Sequence, residues 1–149
     1  MAIRKMTLGS EAETVALAQA MAARARAGDA LLLSGNLGAG KSTFARAFIR
    51  ARAGDASLDV PSPSFTLVQT YELDPPVTHF DLWRLTGPDD VAELGLDAAL
   101  AGIALIEWPD RLGPLAPREA ITLALGWGEG NTRTATASGP DALLERLMR

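Results

Sequence analysis

Two short runs are apolar at almost every position, residues 30–33 (Ala-Leu-Leu-Leu) and residues 103–106 (Ile-Ala-Leu-Ile). Continuous runs of this length predict strands buried on both faces of a parallel α/β sheet. Residues 65–71 alternate and predict a further strand, and residues 77–81 read as a short strand that ends in a carboxylate. Residues 120–127 and 131–137 alternate around Gly128-Glu129-Gly130, the pattern of a hairpin appended to the sheet. Residues 3–8 predict a short edge strand.

Helical spacing fills the intervals. Ser10-Glu11-Ala12-Glu13 has capping-box spacing, in which hydroxyl and carboxylate each satisfy a free N–H. The helix it opens is expected to run to about residue 27 with Val15, Leu17, Ala18 and Met21 as its apolar face, and Gly28 to close it. A second helix follows residue 43 and ends at Gly54, with Arg46, Arg50 and Arg52 on its solvated side. Gly87-Pro88-Asp89-Asp90 starts a third, Gly95 breaks it, and a short helix follows from Asp97. Residues 141–149 predict a closing helix. Strands alternating with helices give an α/β fold: a mixed, mainly parallel sheet flanked by helices, with a C-terminal antiparallel hairpin.

Composition narrows the setting more than the chemistry. With 149 residues, 48% of them hydrophobic, the expectation is one domain spanning 1–149 with a real core. A formal charge of −4 gives no cationic field for nucleic acid or an anionic membrane, so contact with RNA is expected to be local or through a partner. The absence of cysteine excludes disulfides, thiolate metal sites and a thiol nucleophile. No signal-peptide or membrane-spanning run is apparent, so a cytoplasmic protein is expected.

The chemistry lies in Gly35-Asn36-Leu37-Gly38-Ala39-Gly40-Lys41-Ser42-Thr43, between the first buried strand and the second helix. It fits G-x-x-x-x-G-K-[ST], the P-loop pattern, whose glycines let backbone N–H groups turn toward phosphate oxygens at a positive helix end. Lys41 is one of only two lysines in a chain that otherwise prefers arginine, and a lysine here reaches β- and γ-phosphates as a point charge. The stretch predicts a nucleoside triphosphate site.

Two strands end in carboxylates, Asp81 and Glu107, and ligands in open α/β sheets lie beyond such ends. These acids are expected to converge on the phosphates, one holding Mg²⁺ and the other orienting water or ligating through it; chain order does not divide the roles. Val60-Pro61-Ser62-Pro63-Ser64-Phe65-Thr66 reads either as a hydroxyl loop that senses the terminal phosphate or as a turn entering a strand. His79, the only histidine, reads as a satisfied strand residue rather than a metal ligand. Arg84 suits a phosphate or an acid, and Trp108 suits a packed or rim position. Neither the hairpin nor the last helix carries visible chemistry.

The P-loop, Ser62-Pro63-Ser64-Phe65-Thr66-Leu67, His79-Phe80-Asp81-Leu82-Trp83-Arg84-Leu85 and Ile106-Glu107-Trp108-Pro109, in that order, resemble the TsaE family over about three-quarters of the chain, residues 10–111. The resemblance implies a mononucleotide-type sheet, ATP and Mg²⁺ as cofactors, slow hydrolysis, and partnership with TsaB and TsaD homologues. Their complex transfers threonylcarbamoyl to a tRNA adenosine beside the anticodon; the ATPase does not attach the group. Carried over by position, Lys41 contacts phosphate, Ser42 magnesium, and Asp81 and Glu107 the ion or the attacking water. Asn36, Leu37, Gly38, Ala39, Gly40 and Thr43 complete the loop, and Thr14 falls in the segment near the base. This chain has Asn36 where the family often has Asp, Ser42 and Ser64 where it often has Thr, Trp83 for Tyr and Asp110 for Glu. A small-molecule or nucleoside kinase using the same loop, and a nucleotide-gated binding module, are the competing readings. The kinase lacks an arginine-rich lid segment after Glu107.

Overall fold

The two continuously apolar runs form adjacent, parallel strands near the middle of one seven-stranded sheet. The computed structural model describes residues 1–36 and 38–148. In chain order the elements are β1 (Ala2–Leu8), α1 (Glu11–Arg24), β2 (Ala30–Ser34), α2 (Lys41–Ala53), β3 (Val68–Tyr71), β4 (Val77–Asp81), α3 (Pro88–Val91), α4 (Leu96–Ala99), β5 (Ile103–Glu107), β6 (Ile121–Trp127), β7 (Arg133–Gly139) and α5 (Asp141–Leu147). The sheet order is β1-β7-β6-β2-β5-β4-β3. The four strands β6, β2, β5 and β4 run parallel, while β1, β7 and β3 are antiparallel to their neighbours. A mixed sheet with a parallel centre is therefore borne out.

Strand alternation sorts the core into two layers. Leu31, Leu33, Ile103, Leu105 and Val77 pack with Phe44 and Phe48 of α2 and Met21 of α1. Leu32, Ala104, Ile106 and Phe80 pack on the other face with Val91, Leu96 and Leu112. Because the side-chain period is two, Asp81 falls on the face of Val77, and Glu107 on the face of Ile103 and Leu105. Both acids thus come to the α2 side, at the strand ends where the P-loop begins.

Several elements differ from the expectation raised by the sequence. The hairpin of β6 and β7 is borne out, but the sequence did not show how it joins: β6 pairs in parallel with β2 (Leu31↔Ile121 through Ser34↔Ala124) and belongs to the central sheet. Helix α1 stops at Arg24, because Ala25 turns extended (ψ 147°). Arg52 is not simply solvated: its Nη1 donates to the carbonyls of Ala22 and Ala25, each at 2.9 Å, and so closes the end of α1. Strand β3 begins at Val68 rather than residue 65. Leu67 adopts φ 69° and its N–H bonds the Pro63 carbonyl at 2.7 Å, which turns Phe65 outward to 81% exposure.

Candidate functional site

The turn from β2 into α2 is possible only because of its glycines. Gly35 has φ +134°, and a Cβ there would lie 2.1 Å from the Leu125 carbonyl oxygen of β6. Gly40, at φ +109°, occupies the N-cap position of α2. No side chain caps that helix among the described residues, and its first turn holds no acid. Its first amides are therefore left for an external acceptor, where the helix dipole favours an anion.

Lys41 is 5% exposed and folds back over the start of the loop, donating to the Gly35 carbonyl and, at 3.1 Å, to that of Asn36. Its Nζ sits 4.3 Å from the centroid of the Trp108 ring, which packs at a 46° tilt against Trp83, the centroids 4.4 Å apart. Burial pulls the ammonium below its ordinary pKa, and the charges of Glu107 and Asp81 oppose that shift.

The two acids meet at one register position, Asp81 opposite Glu107. Both are buried, at 6% and 3% exposure. Asp81 accepts the Trp83 backbone N–H at 3.0 Å through Oδ1 and the Ser64 hydroxyl at 3.4 Å through Oδ2. Ser64 in turn shares a 2.8 Å hydrogen bond with Ser62, so the hydroxyl loop is joined to the acid, which a plain turn would not require. Glu107 Oε2 lies 2.6 Å from His79 Nε2.

A cavity of about 220 Å³ is bounded by Gly38, Gly40, Lys41, Ser42 and Thr43, by Ser62 and Ser64, by Asp81 and Glu107, and by Trp83 and Trp108. Four segments far apart in sequence are thereby brought together. Ala39 is buried under the loop, Asn36 is exposed at its entrance, and Thr14 is buried in α1 with Cγ2 3.8 Å from the Gly40 Cβ position; none of the three lines the cavity. Leu37 lies outside the described residues. Arg84 lies over the Phe65 ring, with Cζ 4.3 Å from its centroid. Trp108 borders the cavity and packs, partly buried, against the second core layer.

Among the described residues no group of three or more His, Cys, Asp or Glu side chains could hold a metal ion. Two carboxylates and the Ser42 hydroxyl are no self-sufficient cage. They fit Mg²⁺, which keeps waters and is completed by phosphate oxygens rather than by protein alone.

Sequence reasoning missed the second wall of the loop. Leu125 underlies Gly35, and Trp127 Cζ2 lies 3.5 Å from the Gly38 Cβ position, with Arg133 Cζ 3.5 Å from the Trp127 ring centroid. Trp127 ends a strand of the parallel set, so the strand-end rule that picks out Asp81 and Glu107 applies to it once β6 is recognised as central.

The family model described as "Threonylcarbamoyl adenosine biosynthesis protein TsaE" matches residues 8–135. The chain belongs to the TsaE family. It is 39% identical over 129 residues to the tRNA threonylcarbamoyladenosine biosynthesis protein TsaE of Rickettsia conorii, covering 85% of this chain and 73% of the relative. To the protein of that name from Bacillus subtilis it is 34% identical over 144 residues, covering 92% and 89%. The crystal structure of Bacillus subtilis YdiB superposes with a TM-score of 0.81 at 28% identity, covering 99% of this chain and 95% of that one. The TsaE match includes the P-loop, the hydroxyl loop and both strand-end acids.

Proposed function

We propose that this chain is a Mg²⁺-dependent P-loop ATPase, weak alone. It binds ATP along residues 35–43 and supports TsaB and TsaD homologues as they place threonylcarbamoyl on a tRNA adenosine beside the anticodon. The observation that carries this reading is the meeting of Lys41, the uncapped start of α2 and two buried acids around one cavity. Free amides and an ammonium are what a polyphosphate requires. Two carboxylates would repel it unless a cation stood between them, which is the argument for magnesium.

Ser42 together with Asp81 or Glu107 would hold that ion, which when bound would offset charge on the phosphoryl group being transferred. Lys41 gives up the Gly35 and Asn36 carbonyls for phosphate oxygens, and the amides of residues 36–43 cradle the chain of phosphates. Thr14 supports the nucleotide-binding loop from α1, packed beneath Gly40. Of the two acids, the one not ligating the ion orients water. Ser64, through its bond to Asp81, makes the hydroxyl loop respond to what occupies the cavity. The names of the relatives supply the pathway. The net charge of −4 suits a protein that reaches tRNA through a complex in the cytoplasm rather than by its own field.

The test is to rebuild tRNA modification from purified components with Lys41→Ala in place of the native chain. Loss of multiple-turnover modification is expected, and undiminished modification overturns the reading.

A further inference from the structure

His79 occupies a position that an apolar residue would fill at lower cost. It is 2% exposed, in a strand whose buried neighbours include Val77 and Phe80. It stands two residues before Asp81, hence on the same face, and pairs in register with Leu105, two residues before Glu107. That diagonal brings its Nε2 to 2.6 Å from Glu107 Oε2. That contact is a hydrogen bond between ring and carboxylate, and it leaves Nδ1 as the second polar atom of the ring to be satisfied. Nδ1 is buried without a hydrogen-bond partner among the described residues. A buried ring nitrogen left unpaired destabilises a fold, so packing alone does not account for this side chain.

We propose that His79 is a positioning residue: by holding Oε2 of Glu107 it fixes the carboxylate so that Oε1, which has no partner among the described residues, is presented to the cavity. The inference rests on the ATPase reading and deepens it. Asp81 has a backbone amide and a hydroxyl to orient it, whereas Glu107 has one oriented oxygen and one free. Without the imidazole, Glu107 loses the one side chain that hydrogen-bonds it among the described residues. The ligand or base it provides then spreads over several positions. Partners behind a ligating group are worth about 10–100-fold in metal affinity or activity, which sets the scale of the effect.

Three variants test this, each measured for kcat, for ATP affinity with and without Mg²⁺, and for melting temperature. His79→Leu is expected to lower kcat and the Mg²⁺-dependent gain in ATP affinity by about 10–100-fold. Affinity in EDTA should stay within about twofold, because the P-loop contacts are untouched. His79→Gln can place an amide N–H near the position of Nε2 and should recover most of both losses. His79→Asn is shorter and should not. If His79→Leu folds poorly, the contrast between Gln and Asn decides. The proposal is overturned if His79→Leu keeps both quantities, or if the Gln and Asn variants lose them equally. Wild-type protein that binds no ATP under either condition overturns the ATPase reading and this one together. Normal wild-type binding beside an unaffected His79→Leu overturns this one alone.

Discussion

Buried charge sits at both ends of the parallel strands, and the two ends treat it in opposite ways. At the start of β2, Asp29 is 6% exposed, and its carboxylate accepts the Arg26 N–H at 2.8 Å and both guanidinium nitrogens of Arg146, at 2.9 and 2.7 Å. Arg146 also donates to the Arg24 carbonyl, and the pairing with Asp29 raises its pKa, so α5 is fastened to the end of α1. Every charge there is answered from within the fold. At the other end of the same sheet, Lys41 turns to carbonyl oxygens, and among the described residues no side chain caps α2 and a histidine nitrogen is left bare. In the ATPase proposed above, that end would be completed by the nucleotide. The difference separates a structural ion pair from a binding site more sharply than the count of charged residues does.

The largest effect should come from breaking the open end. Lys41→Ala removes the ammonium proposed to meet the phosphates, and loss of a single preorganised donor to developing charge should lower kcat by about 10²–10³-fold. Its melting temperature should match or exceed that of the native protein, because the lysine is held there against the cost of its burial. A drop in stability with turnover intact would reverse the contrast. Next in size is the response to ligand. Mg-ATP at about 100 times its dissociation constant should stabilise the native chain by about 2.7 kcal/mol, visible as a raised melting temperature, and should do little for Lys41→Ala.

The open end is also the more legible of the two in the amino-acid sequence. The P-loop and the two acids can be read there because each depends on local order: a glycine pattern, and an apolar strand that stops at a carboxylate. Their convergence follows from strand period and parallel direction, so the order of residues alone is enough to join Asp81 and Glu107 to Lys41. The hairpin itself was legible and is borne out, but its place in the sheet was not, for the complementary reason. Nothing within residues 120–137 says that β6 pairs with β2, a strand nearly ninety residues earlier, and without that pairing Trp127 is only an exposed aromatic. His79 lay between the two cases. Its face is fixed by its spacing from Asp81, but its partner depends on register with β5. The ends of α1 and β3 shifted because Arg52 and the bond from Leu67 to Pro63 act across turns, which helix and strand periodicity does not record.

The closed end should break quietly. Arg146→Met leaves Asp29 buried with only the Arg26 amide. Because Arg146 is partly exposed, the loss should fall below that of a fully buried pair, at about 1–3 kcal/mol. For a chain of this length that is a fall of roughly 3–10 °C in melting temperature. Turnover per folded molecule and the Mg-ATP shift should be unchanged, since no residue of that cluster borders the cavity. Loss of ATP affinity in this variant would mean that the two ends are coupled.

The smallest effect sharpens the comparison within the open end itself. Ser64→Ala removes a 3.4 Å hydrogen bond to Asp81, long enough that its contribution should be near the lower end for a charged acceptor, about 1–1.5 kcal/mol. Asp81 keeps the Trp83 amide, so the acid stays in place and ATP affinity should hold. What is lost is the tie between the hydroxyl loop and the carboxylate, so kcat should fall about fivefold to tenfold. Limited proteolysis across residues 61–66 should become less dependent on nucleotide. If Ser64→Ala instead weakens ATP binding as strongly as Lys41→Ala, the hydroxyl is itself a phosphate contact. The loop would then be a wall of the site rather than a sensor attached to it.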